Sequence, residues 1–290
     1  MEGYDFDAAA RTIKIQDICA DDITTDECNG EILRRLRDND RSFEQLWVSR
    51  ARPLYSDNYY RPKSTFALGW LGYYIGQNAN LQLTLRGCSK SLKHLKLENI
   101  EMEDEDAELL NIIDALSTHP QLESLELFGM NVGRKNECVS LGTLCSTSTQ
   151  LHTLNLNDNV VDDEGVEALV DVFTNSRLRS LTLSNNYITA RGCRSLATLL
   201  QNPNSNLEDL YLNRNNVGDE GAVSFANALV TNHKLKELGL SNNGITPEGW
   251  SSSFSKVLCD ASTINNTFLS NHTLESFGVN PSRIPADVAS

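Results

Sequence analysis

The sequence predicts an α/β fold built as a solenoid, with parallel strands on one surface and helices on the other. Three observations carry this reading. A frame of leucines spaced LxxLxL returns at near-constant intervals, several of the frames run on into an asparagine at a fixed place, and apolar stripes at helical spacing fill the intervals. Self-similarity at a fixed period of a few tens of residues is the signature of a repeat architecture.

The frame occurs as Leu92-Leu95-Leu97, Leu122-Leu125-Leu127, Leu151-Leu154-Leu156, Leu178-Leu181-Leu183, Leu207-Leu210-Leu212 and Leu235-Leu238-Leu240. Successive starts lie 30, 29, 27, 29 and 28 residues apart. Leu-x-Leu places two leucines on one face of a short strand and the residues between them on the other. Shortly after the third leucine come Asn159, Asn186, Asn215 and Asn243, each followed by a spacer and then Val161, Ile188, Val217 or Ile245. An asparagine offers both a donor and acceptors, so it can satisfy backbone groups left unpaired where a strand turns out of its sheet. The next position is Gly133, Asp162, Thr189, Gly218 or Thr246, residue types that cap helix N-termini, and Pro247 takes the favoured first helical position. Val166, Leu169, Val170 and Phe173 then recur at helical spacing, as do Leu196, Leu199 and Leu200. One such β-α unit cannot bury its apolar face alone, so units stack. A helix is about 10 Å wide against about 4.8 Å between strands, and the mismatch bends the stack with the strands inside.

The stretches LHTLNLNDNVVDDEGVEALVDVF at 151–173 and LEDLYLNRNNVGDEGAVSFANAL at 207–229 resemble the 28-residue, ribonuclease-inhibitor-like class of leucine-rich repeats, a resemblance that covers residues 92–271. It implies a right-handed horseshoe with a concave parallel sheet, convex helices and, in most relatives, protein recognition. The same class includes Ran GTPase-activating proteins and the sensor arms of nucleotide-binding immune receptors. No GxxxxGK[ST] string or nucleotide-binding domain is found here.

Four segments are expected: residues 1–42 as an N-terminal cap and first helix, 43–91 as divergent repeats with a loop, 92–273 as six repeats, and 274–290 as a final strand and tail. Residues 31–48 repeat the helix, turn and strand order, with Phe43, Leu46 and Val48 in the leucine frame, behind an irregular cap over residues 1–30. Residues 52–63, with Pro53, Pro62 and three tyrosines, read as a loop. Leu68, Leu71 and Ile75 suggest a helix to Gln77. Leu81–Leu85 looks like another strand, yet it lies 11 residues before Leu92. It is either an abbreviated unit or an extended lead-in. Leu274 restarts the frame 39 residues after Leu235, which places an inserted loop near Ser262–Ser270. The ending at Ser290 reads as a short cap or a truncated product.

With 40% hydrophobic and 22% charged residues there is material for a continuous core. A net charge of -14 disfavours adhesion to nucleic acid or anionic membrane. No apolar stretch suits a membrane helix, and Met1–Ala10 lacks the basic and apolar regions of a signal peptide. The expectation is a soluble monomer of the cytoplasm or nucleus, bound to neither nucleic acid nor membrane. The seven cysteines are odd in number and form no CxxC pair, so free thiols are expected, with Cys138, Cys193 and Cys259 as small apolar residues on helices. The two sequons at Asn265 and Asn271 read as chance. No nucleophile elbow, HExxH, phosphate loop or spaced metal ligands occur, so no catalytic residue, metal site or cofactor is assigned.

Candidate binding residues are the side chains that strands carry outward in columns on the concave sheet: Lys96, Glu126, Asn155, Thr182 and Tyr211 in one column, with Phe128, Arg179, Asp209 and Arg214 beside them. Aromatics and arginine give large contact area or forked hydrogen bonding, so Phe128, Arg179, Tyr211 and Arg214 are the expected anchors for a protein partner. The acidic runs at 101–108 and 162–164 read as carboxylates at helix N-termini, with docking of a basic partner as the sharper reading. A GTPase activator similar to the Ran-directed class is the enzyme alternative, favoured by repeat length and acidity. Against it, such relatives have more full repeats and an acidic region beyond them, where this chain has Asn280–Ser290. A structural repeat protein without a dedicated site is the third reading.

Overall fold

The computed structural model describes residues 9, 11, 27–38, 40, 42–49, 59–60, 92–100, 105–117, 121–173, 176–258 and 270–277. The chain divides into two compact units, residues 1–130 with 148–151, and residues 131–147 with 152–290.

In the first unit, helix α1 (Glu27–Arg37) buries Ile32, Leu33 and Leu36. It leads through buried Phe43 into strand β1 (Gln45–Ser49). Strand β2 is Tyr59–Tyr60 and β3 is His94–Glu98. Helix α2 (Glu105–Ser117) buries Leu109, Ile112, Ile113 and Leu116, an i, i+3, i+4, i+7 stripe. Strand β4 spans Ser124–Phe128. All pairings are parallel, in the order β2-β1-β3-β4. Leu46 faces Leu95, which faces Leu125, while Val48, Leu97 and Leu127 align beside them. The divergent first unit therefore stands in the leucine frame, as its Phe43, Leu46 and Val48 predicted.

Two expectations need correction. Residues 59–60, read as part of a loop, form a strand on the outer side of β1. A strand this short leaves no alternation for the sequence to display. The irregular cap over residues 1–30 also gives way to α1, which begins at Glu27. Because β1 and β3 are hydrogen-bonded neighbours, no strand stands between them. Leu81–Leu85 lies outside the described residues, and so does the expected helix from Leu68 to Gln77.

The second unit alternates helix and strand: α3 (Lys135–Thr147), β5 (Thr153–Asn155), α4 (Asp163–Val172), β6 (Ser180–Thr182), α5 (Ala190–Gln201), β7 (Asp209–Tyr211), α6 (Gly218–Leu229), β8 (Glu237–Gly239), α7 (Pro247–Leu258) and β9 (Ser276–Phe277). The strands pair in parallel and in sequence order from β5 to β9. Leu154, Leu181, Leu210 and Leu238 stand in one row, fully buried, with Phe277 next to Leu238. Each helix packs on the next from α3 to α7. Parallel strands with helices returning between them make this an α/β leucine-rich-repeat solenoid.

Asparagines wire the repeats together. Asn186 is buried, accepts the Val161 N–H at 2.9 Å, and donates to the carbonyls of Leu156 at 2.9 Å and Leu183 at 3.0 Å. Asn215 does the same for Ile188 N–H at 3.0 Å and for the Leu183 and Leu212 carbonyls. Asn159 accepts from Val132 N–H at 3.1 Å, and Asn243 from Asn215 N–H at 3.0 Å. Each amide thus serves backbone groups of two successive repeats.

Capping follows expectation at Asp162, which accepts Gly165 N–H at 2.9 Å, at Thr189, which accepts Arg191 N–H at 3.3 Å, and at Thr246, which accepts Gly249 N–H at 2.9 Å. It departs at two places. Gly218 is the first residue of α6 rather than its cap, and it turns the chain with φ 60°. At α3 the buried Glu137 carboxylate reaches back to accept Gly133 N–H at 2.9 Å and Arg134 N–H at 3.0 Å. The insertion near Ser262–Ser270 falls almost wholly outside the described residues. Among the described residues, no helix is long and apolar enough to cross a membrane.

Candidate functional site on the strand-lined faces

On the first unit the outward column begins one repeat earlier than expected, since Trp47, Lys96 and Glu126 stand side by side in register. The Lys96 ammonium lies 4.2 Å from the centre of the Trp47 ring and 5.9 Å from that of Phe128. It is also 3.1 Å from the Glu98 carboxylate, which accepts the Trp47 indole N–H at 3.0 Å. A cation over an aromatic face is attracted by the ring quadrupole, by about 0.5–2 kcal/mol depending on desolvation. Lys96 is therefore committed to its neighbours, and Trp47 is a face residue that reasoning from the sequence omitted. Its place between Leu46 and Val48 was a sufficient signal.

On the second unit the central column reads Asn155, Thr182, Tyr211 and Gly239. Gly239 leaves room for the Tyr211 ring, because a Cβ there would stand 2.8 Å from Tyr211 Cδ1. Tyr211 is accordingly half-buried and donates its hydroxyl to Glu237. Burial pushes its phenol up to about 12, and the Glu237 carboxylate acts the same way. Asp209, in register with Glu237, has its carboxyl raised by burial and then by Glu237 and Glu208. Asn155 accepts the Asn157 N–H at 3.0 Å. Thr182 Oγ1 is buried without a hydrogen-bond partner among the described residues. The middle of this face is thus packed and largely self-satisfied, while Arg179 and Arg214 at its two margins are exposed.

Where each strand leaves the sheet, the residue two positions after the third leucine is left-handed in all six repeats: Asn99, Gly129, Asp158, Asn185, Arg214 and Asn242. Asn, Asp and Gly adopt that conformation readily, whereas Arg214, at φ 58°, does not.

Where the chain runs into β6, β7 and β8, an open groove of 640 Å³ is lined by Arg177, Arg179, Glu208, His233, Lys234 and Lys236. Among the described residues that line it, Glu208 is the one carboxylate, 2.6 Å from the Lys236 ammonium and 3.9 Å from Arg179 Nε. Lys236 holds the Glu208 carboxyl below the usual carboxylate range, chiefly by that hydrogen bond.

Asp163 accepts the Thr189 N–H at 2.8 Å, its hydroxyl at 2.6 Å and the Gly192 N–H at 2.9 Å. Asp219 repeats the first two bonds on Thr246, at 2.8 and 2.9 Å. Asp162 and Asp163 are thereby used at helix N-termini inside the unit, the plainer of the two readings of the 162–164 run. Residues 101–104 lie outside the described residues. Cys138, Cys145 and Cys193 are free and buried, with thiols pushed up to about 12 mainly by burial. Cys138 and Cys193 lie on helices as expected, and Cys259 lies outside the described residues. Among the described residues, no group of three or more His, Cys, Asp or Glu could hold a metal ion.

Comparison with protein families matches the Leucine Rich repeat family at residues 147–170, 204–226 and 231–252, a repeat module rather than a catalytic one. NACHT, LRR and PYD domains-containing protein 13 of Homo sapiens is 32% identical over 174 residues, covering 59% of this chain and 16% of that protein. NACHT, LRR and PYD domains-containing protein 14 of Mus musculus is 33% identical over 186 residues, covering 58% of this chain and 18% of that protein. The chain therefore spans less than a fifth of the length of these relatives. The solved structure of Leiomodin-1 Actin-Binding Site 2 aligns over 74% of this chain and 80% of its own, at 14% identity and a TM-score of 0.34, too loose a superposition to carry an argument. Leucines in register, the buried asparagines and the matched stretches together make this chain a leucine-rich-repeat protein.

Proposed function

We propose that the chain is a ribonuclease-inhibitor-like repeat scaffold, monomeric and cytoplasmic or nuclear, that holds a protein partner on its strand-lined, concave face. The contact set is Lys96, Glu126 and Phe128 on the first unit and Asn155, Arg179, Thr182, Asp209, Tyr211 and Arg214 on the second. Arg214 carries the reading. Five of the six left-handed positions hold Asn, Asp or Gly, and the exception is an exposed arginine. A left-handed non-glycine residue costs about 1–2 kcal/mol, and strain of this kind concentrates at working sites. Arginine is also among the side chains enriched at interface hot spots.

The test is affinity for a partner isolated with the full chain, measured by calorimetry. Tyr211→Ala should weaken binding by about 1–3 kcal/mol with little change in melting temperature. Glu167→Lys, on the helical side, should matter far less. Binding that survives combined Phe128→Ala, Arg179→Ala and Tyr211→Ala would overturn this assignment.

A further inference from the structure

The groove beside β6, β7 and β8 opposes the charge of the whole molecule. The chain carries a net charge of -14, yet among the described residues that line this groove Arg177, Arg179, Lys234 and Lys236 bring four fixed positive charges against the carboxylate of Glu208, with Glu275 acting on Lys236 from the next strand position. Its frame is stiff, because the backbone runs in one hydrogen-bonded ladder from Arg179 to His152, Glu208 to Arg179 and Lys236 to Glu208. Lys234 is fixed as well: its ammonium donates to the carbonyls of Pro203 at 2.9 Å and Ser205 at 2.5 Å, which leaves one of its three donors over. Arg179 is 67% exposed, and at 3.9 Å its Nε stands beyond hydrogen-bonding reach of Glu208. Arg177 is exposed.

We infer that this groove receives an acidic peptide segment of a partner protein, with carboxylates seated on the Arg177 and Arg179 guanidinium groups and against the Lys234 and Lys236 ammonium groups. The inference rests on the protein-binding reading above and names the chemistry of the partner at one margin of that face. Guanidinium forks match carboxylates in a two-bond geometry. Glu208 already models the contact from within the chain, since it is a carboxylate held between Lys236 and Arg179. A long polyanion such as a nucleic acid would extend past the groove over an acidic protein, whereas charges more than about 8 Å away are screened from a short segment. The volume of 640 Å³ falls within the range of about 300–1,000 Å³ typical of ligand pockets and accommodates a few side chains.

The test uses the full chain and a fluorescein-labelled octapeptide of alternating Asp and Glu, read by fluorescence anisotropy. An Asn/Gln octapeptide and a single-stranded oligonucleotide of equal charge serve as comparisons. The acidic octapeptide should bind, more weakly as salt rises, and the amide octapeptide should not. Combined Arg177→Ser and Arg179→Ser should weaken binding by about tenfold or more, which corresponds to about 1.4 kcal/mol. Glu208→Gln should tighten it several-fold by releasing Lys236 and Arg179, a gain that a misfolded variant cannot imitate. Absence of octapeptide binding, equal binding by the double variant, or tighter binding of the oligonucleotide would overturn the inference. The octapeptide assay needs no partner protein, so its failure and failure of the face-binding role, read by partner calorimetry, are told apart.

Discussion

Three residues beyond the third leucine, the second unit places Asn159, Asn186, Asn215 and Asn243, whereas the first places Ile100 and Met130. The two kinds of side chain are equally buried, with Asn186 at 6% exposure and Met130 at 5%. Their physics differs. An asparagine amide makes directional bonds to two successive repeats, so sliding one repeat against the next breaks several bonds at once. Ile100 and Met130 contribute burial, which is non-directional. Register in the first unit is held instead by longer strands: β3 and β4 pair through five residues, from His94 opposite Ser124 to Glu98 opposite Phe128, while β5 and β6 pair through three. A repeat can be aligned by backbone length or by a buried amide, and this chain uses each in a different place.

The largest effect that would test this picture is in the leucine row. Leu154→Ala and Leu181→Ala, at fully buried sites, should each cost about 2–5 kcal/mol in urea denaturation. Unchanged stability would contradict the register itself. Next comes the ladder position. Asn215→Leu should cost about 1–3 kcal/mol, since it strands the Ile188 N–H in the core and leaves the Leu183 and Leu212 carbonyls with one asparagine donor each instead of two. Met130→Leu should cost less, below about 1.5 kcal/mol, as a volume-conserving change. The reverse order would erase the distinction between the two regions. The smallest effect has the opposite sign: Arg214→Asn should raise stability by about 1 kcal/mol by relieving the left-handed strain. A lowered melting temperature would show that Arg214 is not strained.

Most of the solenoid was legible because Leu154, Leu181, Leu210 and Leu238 are both a sequence period and a physical row. The ladder amides were legible for the same reason. The two-residue strand at Tyr59–Tyr60 was not, since its pairing is a matter of tertiary placement. On the candidate face, the column positions of Asn155, Thr182 and Tyr211 were readable, but their engagement was not. Tyr211 lies over Gly239 and donates to Glu237, which depends on a glycine one repeat away. The basic groove escaped notice because Arg177 and Lys234 precede the first leucine of their frames, outside every strand column. Only Arg179 and Lys236 stood where outward residues were sought.

The aspartate bridges give the array a grain coarser than the single repeat. Asp163 reaches forward to Thr189 and Gly192, and Asp219 to Thr246, but the residue at the corresponding place between them is Ala190. A Cβ on Gly192 or Gly249 would collide with the carboxylate in front of it, so each glycine is matched to one aspartate. The two aspartates stand 56 residues apart, twice the leucine spacing. The transplantable module is therefore a doublet. Excising one repeat from this stretch would set a carboxylate with nothing to cap against a helix that expects none, whereas excising two would rejoin like with like. Anyone lengthening, shortening or grafting this protein should cut in pairs.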